Sequence, residues 1–237
     1  MPDNYTLTRD PVFYGAVACF ALLTTALPAL LGQPRFLPFI QALCLTIFMA
    51  QGLRHGHLRG AINTVALWLA LQFILLMLLS RLFVGLVERA IGDGFAYRGA
   101  VAAWFFSGGP LPGGLLAAPL GRLAEVVGIV VGSLVSAGLI GAWVLVRATN
   151  LAAYGAGTLL STIETPGLYI LALPLWAMIR IAGYAGLVIL GAEPLLTNNW
   201  SPRFYWAERR RLLLVGLGLV AAGLLLEIVL PPLWSRG

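Results

Sequence analysis

The chain alternates long apolar runs with short polar breaks, and the lengths of those runs set the first expectation. A helix needs about 20 apolar residues, rising 1.5 Å each, to cross about 30 Å of hydrocarbon. Pro11–Leu31 meets that length, with Pro28 near its end, and Phe36–Leu53 is a shorter run behind the tight hairpin Gly32-Gln33-Pro34-Arg35. Ala61–Val87, Val126–Val146, Gly167–Ala192 and Leu212–Pro231 complete the candidate spans 11–31, 36–53, 61–87, 126–146, 167–192 and 212–231. The breaks between them are polar: Arg54 to Gly60, Glu88 to Arg98 and Glu193 to Arg211. Val126–Val146 is bounded by Arg122 and Glu125 before it and by Arg147 after it. Leu151–Glu164 is too short and too polar to cross and is expected at the interface.

Residues 99–120 interrupt the pattern. They are apolar, yet Ser107-Gly108-Gly109-Pro110-Leu111-Pro112-Gly113-Gly114 holds two prolines and four glycines, which break a continuous helix. Irregular backbone at membrane depth persists only when buried in protein or lining a cavity. The segment is therefore a broken span, a re-entrant hairpin, or a loop between short helices. The fold expected is all-α: a polytopic transmembrane helical bundle of about six or seven spans with one broken or re-entrant segment, forming one membrane domain over 1–237.

Composition agrees with this. Of 237 residues, 60% are hydrophobic and 10% charged, where a soluble domain carries about a quarter charged. All 15 basic residues are Arg, and the net charge is +6. These arginines are spread over short inter-span loops, a pattern suited to membrane topology and anionic headgroups and not to a nucleic-acid groove. The bilayer is the first partner expected, and nucleic acid is excluded. Arg203, Arg209, Arg210 and Arg211 form the densest positive cluster, which the positive-inside rule assigns to the cytoplasm. If 99–120 crosses, Arg9, Arg54 and Arg59 share that side; if it does not, Arg35, Arg89 and Arg98 do. The polar stretch before Pro11 lacks a signal-peptide layout, so the first run is read as a retained helix.

Charges inside the runs are the candidate chemistry. Arg180 and Glu227 sit about 18 Å and 22 Å into their spans, counted from Ala192 and Leu212, so adjacent antiparallel helices would bring them to similar depth. Three readings stay open: a structural ion pair, a polar site in a substrate or ion path, or snorkelling toward an interface. Arg81, near the end of its run, is expected to snorkel. Gly128, Gly132 and Ser136 recur every four residues, with Ala137 and Gly141 one step round, and small residues at that spacing let helix backbones approach. The partner helix lies either in this chain or in another subunit.

Trp200, Arg203, Phe204, Tyr205, Trp206, Arg209, Arg210 and Arg211 mix aromatics with arginine, which suits either an interfacial belt or a docking surface for a partner. His55 and His57 lack neighbouring ligands, so no metal is expected, and no cofactor either. Cys19 and Cys44 are expected to pack as small hydrophobes. Ser107 lacks the histidine an intramembrane serine protease needs, and the 108–114 glycines lack a lysine for phosphate. No catalytic residue is assigned. The Asn4-Tyr5-Thr6 and Asn199-Trp200-Ser201 glycosylation patterns are taken as accidental.

Three stretches resemble the stage II sporulation protein M family of bacterial polytopic membrane proteins. Asn150 with Gly155 and Gly157 is similar to a turn after a family span. Ala182-Gly183-Tyr184-Ala185-Gly186-Leu187 resembles its A-G-x-x-G-L stretch. Ala222-Gly223-Leu224-Leu225-Leu226-Glu227-Ile228-Val229-Leu230-Pro231 resembles its closing helix. The resemblance covers about the last 90 residues. Thr165-Pro166-Gly167-Leu168-Tyr169-Ile170 stands where the family shows P-H-G-x-x-E, without the His and Glu. The resemblance implies a non-enzymatic scaffold or subunit of a multi-protein complex in a bacterial inner membrane, with other membrane or cytoplasmic subunits as partners. The alternative is a permease or channel-like component with its polar site at Arg180 and Glu227.

Overall fold

A computed structural model describes residues 10–55, 57–163 and 166–235 of the chain. Arg9, the Asn4-Tyr5-Thr6 pattern, Gly56, Glu164 and Thr165 lie outside the described residues. The described chain is helical throughout: α1 (Pro11–Leu30), α2 (Phe36–Arg54), α3 (Leu58–Leu82), α4 (Val84–Ala90), α5 (Gly94–Ser107), α6 (Pro119–Val135), α7 (Leu139–Thr162), a 3-10 turn (Pro166–Ala172), α8 (Leu175–Thr197), α9 (Pro202–Glu208) and α10 (Arg210–Trp234). Six of these helices, α1, α2, α3, α7, α8 and α10, are long and apolar enough to cross a membrane. The protein is an integral membrane helical bundle.

Local chemistry sets the ends. Asp10 caps α1 by accepting from the Val12 amide at 2.8 Å, and Pro11 supplies the fixed φ of a first helical position. Gly32, at φ +65°, turns the chain toward α2, and the Gln33 amide donates back to the Pro28 carbonyl at 3.0 Å. At the opposite end Gly52 lies against the Ala61 backbone, where an added Cβ would stand 2.8 Å from the Ala61 nitrogen. That contact closes the α2–α3 hairpin.

Contact pairs give each helix its direction. Gln72 meets Asn150 while Gly157 lies against Met77 and Ser80, so α3 and α7 run parallel. Gly132 faces Ile140 and Gly128 faces Val144, so α6 and α7 are antiparallel. Gly183 faces Gly216 and Val220, and Gly223 faces Arg180, so α8 and α10 are antiparallel. The end where α1 begins is called end I. It also holds the α2–α3 turn, the α6–α7 turn, the α8–α10 connection and α9; α4, α5 and the 108–118 loop belong to the opposite end II. Arg54 and Arg59 therefore share end I with Arg203, Arg209, Arg210 and Arg211, and not Arg35, Arg89 and Arg98 as expected for a non-crossing 99–120, because the run 126–146 is split between two antiparallel rods, α6 and α7.

Several expected boundaries are corrected. Val126–Val146 is not one span: the chain reverses at Ser136-Ala137-Gly138, with Ala137 at φ +53° and Gly138 at φ +94°. The Ser136 hydroxyl accepts the Ile140 amide at 2.8 Å, helping to cap the new helix. A hydropathy window is blind to this turn because its residues are small and weakly polar. Nor does propensity forecast an alanine in the left-handed region, which costs about 1–2 kcal/mol. Leu151–Glu164 is likewise no interfacial segment. Through Thr162 it is the second half of α7, buried almost continuously from Thr149 to Leu160. Its alanines, glycines and threonines lower hydropathy, and this half of the helix faces protein on nearly all sides.

The run 61–87 ends as a span at Leu82, and Phe83 breaks it before α4. The run 167–192 begins as a span only at Leu175, after the 3-10 turn, and continues to Thr197, so Glu193 and Pro194 belong to α8 rather than to a loop. Asn150, Gly155 and Gly157 lie inside α7, not at a turn after a span. Residues 99–120 do not cross: α5 and a loop at Gly108 and Gly113 return to end II, where α6 begins. The 17-residue α6 is a shorter rod that runs beside α7 and α8.

Candidate functional site

Polar clusters are buried at several points in this bundle, and two of them join three or more helices. The charged one lies toward end II. Gly183, Gly216 and Gly223 let α8 and α10 touch backbone to backbone: a Cβ on Gly183 would stand 2.7 Å from the Gly216 carbonyl oxygen, and one on Gly223 2.8 Å from the Arg180 nitrogen. One helical turn beyond Gly223, Glu227 reaches Arg180, whose Nη1 donates to Glu227 Oε2. Arg122, from the first turn of α6, donates to Glu227 Oε1 through Nε at 3.1 Å and Nη2 at 2.8 Å. Its Nη1 reaches Glu125 Oε2 at 2.6 Å.

The cluster is a closed quartet of two guanidiniums and two carboxylates with no net charge. Arg180 and Glu227 are 3% and 4% exposed, so the pairing happens away from solvent. One atom beside it, Arg180 Nε, has no hydrogen-bond partner among the described residues. Arg180 is the sixth residue of α8, about 8 Å from its start, and Glu227 lies about 10 Å from the end of α10. The pair thus sits in the outer third of the bundle, because α8 starts at Leu175 and not at Gly167.

A cavity of about 110 Å³ adjoins the quartet, walled by Tyr97, Trp104, Ala152 and Gly155 and closed by Leu111–Gly113 of the glycine- and proline-rich loop. It has room for several waters. On its end II side Trp104 packs edge-on to Trp176, and Trp176 to Trp234. The Trp104 indole donates to the Pro231 carbonyl at 3.3 Å. Within the broken segment Gly114 is buried and Leu111 and Pro112 are half-buried against the cavity, while Ser107, Gly108, Pro110 and Gly113 are exposed at end II.

The stripe Gly128, Gly132 and Ser136 faces α7 of the same chain. Gly128 and Gly132 lie under Val144 and Ile140, while Ser136 forms the turn, its hydroxyl donating to the Gly132 carbonyl. The aromatic and arginine stretch lies at end I. Ser201 caps α9 by accepting from the Phe204 amide at 3.4 Å. Arg209 holds Glu193 through Nε at 3.0 Å and Nη2 at 2.8 Å and lies 5.0 Å over the Phe204 ring. Arg210 lies over Trp206. Tyr205 donates to the Asn199 carbonyl at 3.1 Å, and burial, then the Glu193 charge, pushes its phenol up to about 12. Trp200, Arg203, Trp206, Arg210 and Arg211 are exposed. Arg81 stacks on Tyr169 at end II, outward-facing as expected of a snorkelling residue.

The second cluster carries no charge and was not singled out from the sequence. Thr25, Gln41, Gln72 and Asn150, from four helices, meet in the core with at most 3% exposure. Gln41 Nε2 donates to Thr25 Oγ1 at 2.9 Å, and Asn150 Nδ2 donates to Gln41 Oε1 at 2.7 Å. Gln72 Nε2 donates to Asn150 Oδ1 at 2.8 Å and to the Val146 carbonyl at 3.0 Å. The available signal is an amide inside an apolar run, since Gln41, Gln72 and Asn150 each have mostly apolar neighbours. Arg147 was also misplaced. It does not bound a span but is the ninth residue of α7, about 12 Å from its start.

No protein-family model, curated protein or solved structure matches this chain.

Proposed function

We propose that the protein is a non-enzymatic scaffold or subunit of a multi-protein membrane complex, in keeping with its resemblance to the stage II sporulation protein M family, and that it resides in a bacterial inner membrane. The observation that carries this reading is how the intramembrane charges are used. Arg122, Glu125, Arg180 and Glu227 neutralise one another and pin α10, which rests mainly on α8, to the bundle. A balanced quartet suits a structural clamp better than a site that must accept and release a charged substrate. Much of α10 stays uncovered: Leu214, Val215, Leu217, Leu225 and Val229 are exposed apolar side chains. That face is available to lipid or to a partner helix. We assign end I to the cytoplasm on the density of the Arg203 and Arg209–Arg211 cluster, although Arg35, Arg81, Arg89, Arg98 and Arg122 at end II nearly balance the end I total.

The test is extraction from native membranes in mild detergent. A scaffold or subunit is expected in a particle with stoichiometric partner chains, and Glu227→Gln is expected to lower its folded yield and assembly. A lone protomer that folds normally as Glu227→Gln, yet shows altered solute flux in proteoliposomes, would establish the permease reading instead. One feature favours that second reading: the cavity beside the quartet, lined by Arg180, whose Nε has no partner among the described residues.

A further inference from the structure

Arg147 carries an observation that the quartet does not explain. It lies inside α7, about 12 Å from one end of the helix, in a stretch otherwise free of charge. A guanidinium at such depth costs about 2.5–3.5 kcal/mol on insertion scales and is seldom left without a counter-charge. Yet no carboxylate pairs with it among the described residues; it stacks on Trp143, 5.6 Å from the ring centroid. Arg147 and Trp143 are both exposed on the surface of the bundle.

Both side chains line a cavity of about 530 Å³ between the α1–α2 hairpin, the α4–α5 turn and α7. A second arginine, Arg35, lines the same cavity from the hairpin and also has no ion pair among the described residues. No acidic residue lines it among the described residues. The carboxylates that flank the Ala90–Gly92 wall in sequence are elsewhere occupied or outward-facing: Glu88 pairs with Arg98 at 3.0 Å, and Asp93 is exposed in the α4–α5 turn. The amino end of α2, from Phe36, adds the positive end of a helix dipole. Phe36 and Phe39 supply apolar wall, and Asn150 links the cavity to the amide network.

We propose that this cavity binds the headgroup of an anionic phospholipid, with its phosphate between Arg35 and Arg147 and its acyl chains along Phe36, Phe39 and Trp143. The phosphate supplies the counter-charge that Arg147 lacks. The aromatic walls, together with the exposure of Trp143, suit a ligand that arrives laterally with its tails in the bilayer. This assignment is independent of the scaffold reading, since a permease would present the same cavity.

The experiment uses the purified full-length chain in detergent, titrated with phosphatidylglycerol or phosphatidylcholine and followed by native mass spectrometry. Phosphatidylglycerol is expected to associate more tightly, and Arg35→Gln and Arg147→Gln are each expected to weaken it about fivefold, the scale of one basic residue near an anionic lipid. Arg203→Gln, on the exposed end I surface, is expected to leave association unchanged. Arg35 stands in a surface turn, so Arg35→Gln tests the site even if Arg147→Gln misfolds. Equal association of the two lipids, or wild-type association by Arg35→Gln, would overturn the proposal. So would an equal loss in Arg203→Gln, which marks general surface charge. Displacement of phosphatidylglycerol by millimolar orthophosphate would overturn the lipid assignment in favour of a free anion.

Discussion

The charged quartet and the amide network solve the same problem with different chemistry. Both tie several helices together through polar groups in an apolar interior. The quartet joins α6, α8 and α10 through ions whose charges cancel. The network joins α1, α2, α3 and α7 through neutral donors and acceptors. Removing one ion strands the others in low dielectric, whereas removing one amide leaves only unsatisfied dipoles. The quartet is therefore the more fragile of the two, and it holds a helix that otherwise rests mainly on α8. The network lies where packing is already dense, so its loss is partly absorbed.

The contrast can be broken by substitution. Glu227→Ala leaves Arg122 and Arg180 buried beside each other and is expected to cost about 3–5 kcal/mol in detergent unfolding. Combining it with Arg180→Met is expected to recover part of that loss; a loss below about 1 kcal/mol in the single variant would show that the quartet does not hold α10. Gly183→Leu forces a side chain into the α8–α10 contact and is expected to cost about 1–3 kcal/mol. It should also make the further cost of Glu227→Ala smaller, as α10 is already displaced.

Gln72→Leu in the amide network is expected to cost about 1 kcal/mol, within the range for interhelical hydrogen bonds in membranes. Hydrogen exchange should rise in α3 and α7 and not in α10. A cost as large as that of Glu227→Ala would erase the distinction between the clusters. Arg209→Gln at end I is expected to cost about 1 kcal/mol, less than Glu227→Ala, because the shorter amide still offers a donor to the buried Glu193 carboxylate and only one ion pair is lost.

The smallest effect is that of Tyr205, whose folded phenol titrates near 12 against about 10 when unfolded. Its contribution to stability is fully present below pH 10, because both states then hold the proton. It is lost between pH 10 and 12 as the unfolded chain ionises first. Comparing unfolding of the wild type and Tyr205→Phe across that window isolates it. A pH slope that is the same in both proteins would rule it out.

Much of the charged cluster could be anticipated. Arg180 and Glu227 stand out because ions in apolar runs are rare, and antiparallel neighbours bring them together. Hydropathy marks Arg122 and Glu125 only as the boundary of a span. Their role depends on α6 beginning beside α8 and α10, which no local pattern shows. The same hydropathy puts Arg147 at the end of a continuous span over 126–146. One turn at Ala137 and Gly138 moves it inside α7 and creates the unpaired charge.

By itself, the sequence determined that the chain is a membrane helical bundle, since so few charges cannot cover a soluble globule. It also determined most of the spans, because length and hydropathy are local properties. Only the tertiary structure decided the hairpin at 136–138, the return of 99–120 to end II and the membership of both polar clusters. Those depend on backbone turns and on contacts between residues as far apart as Gln41 and Asn150, which no window along the chain contains.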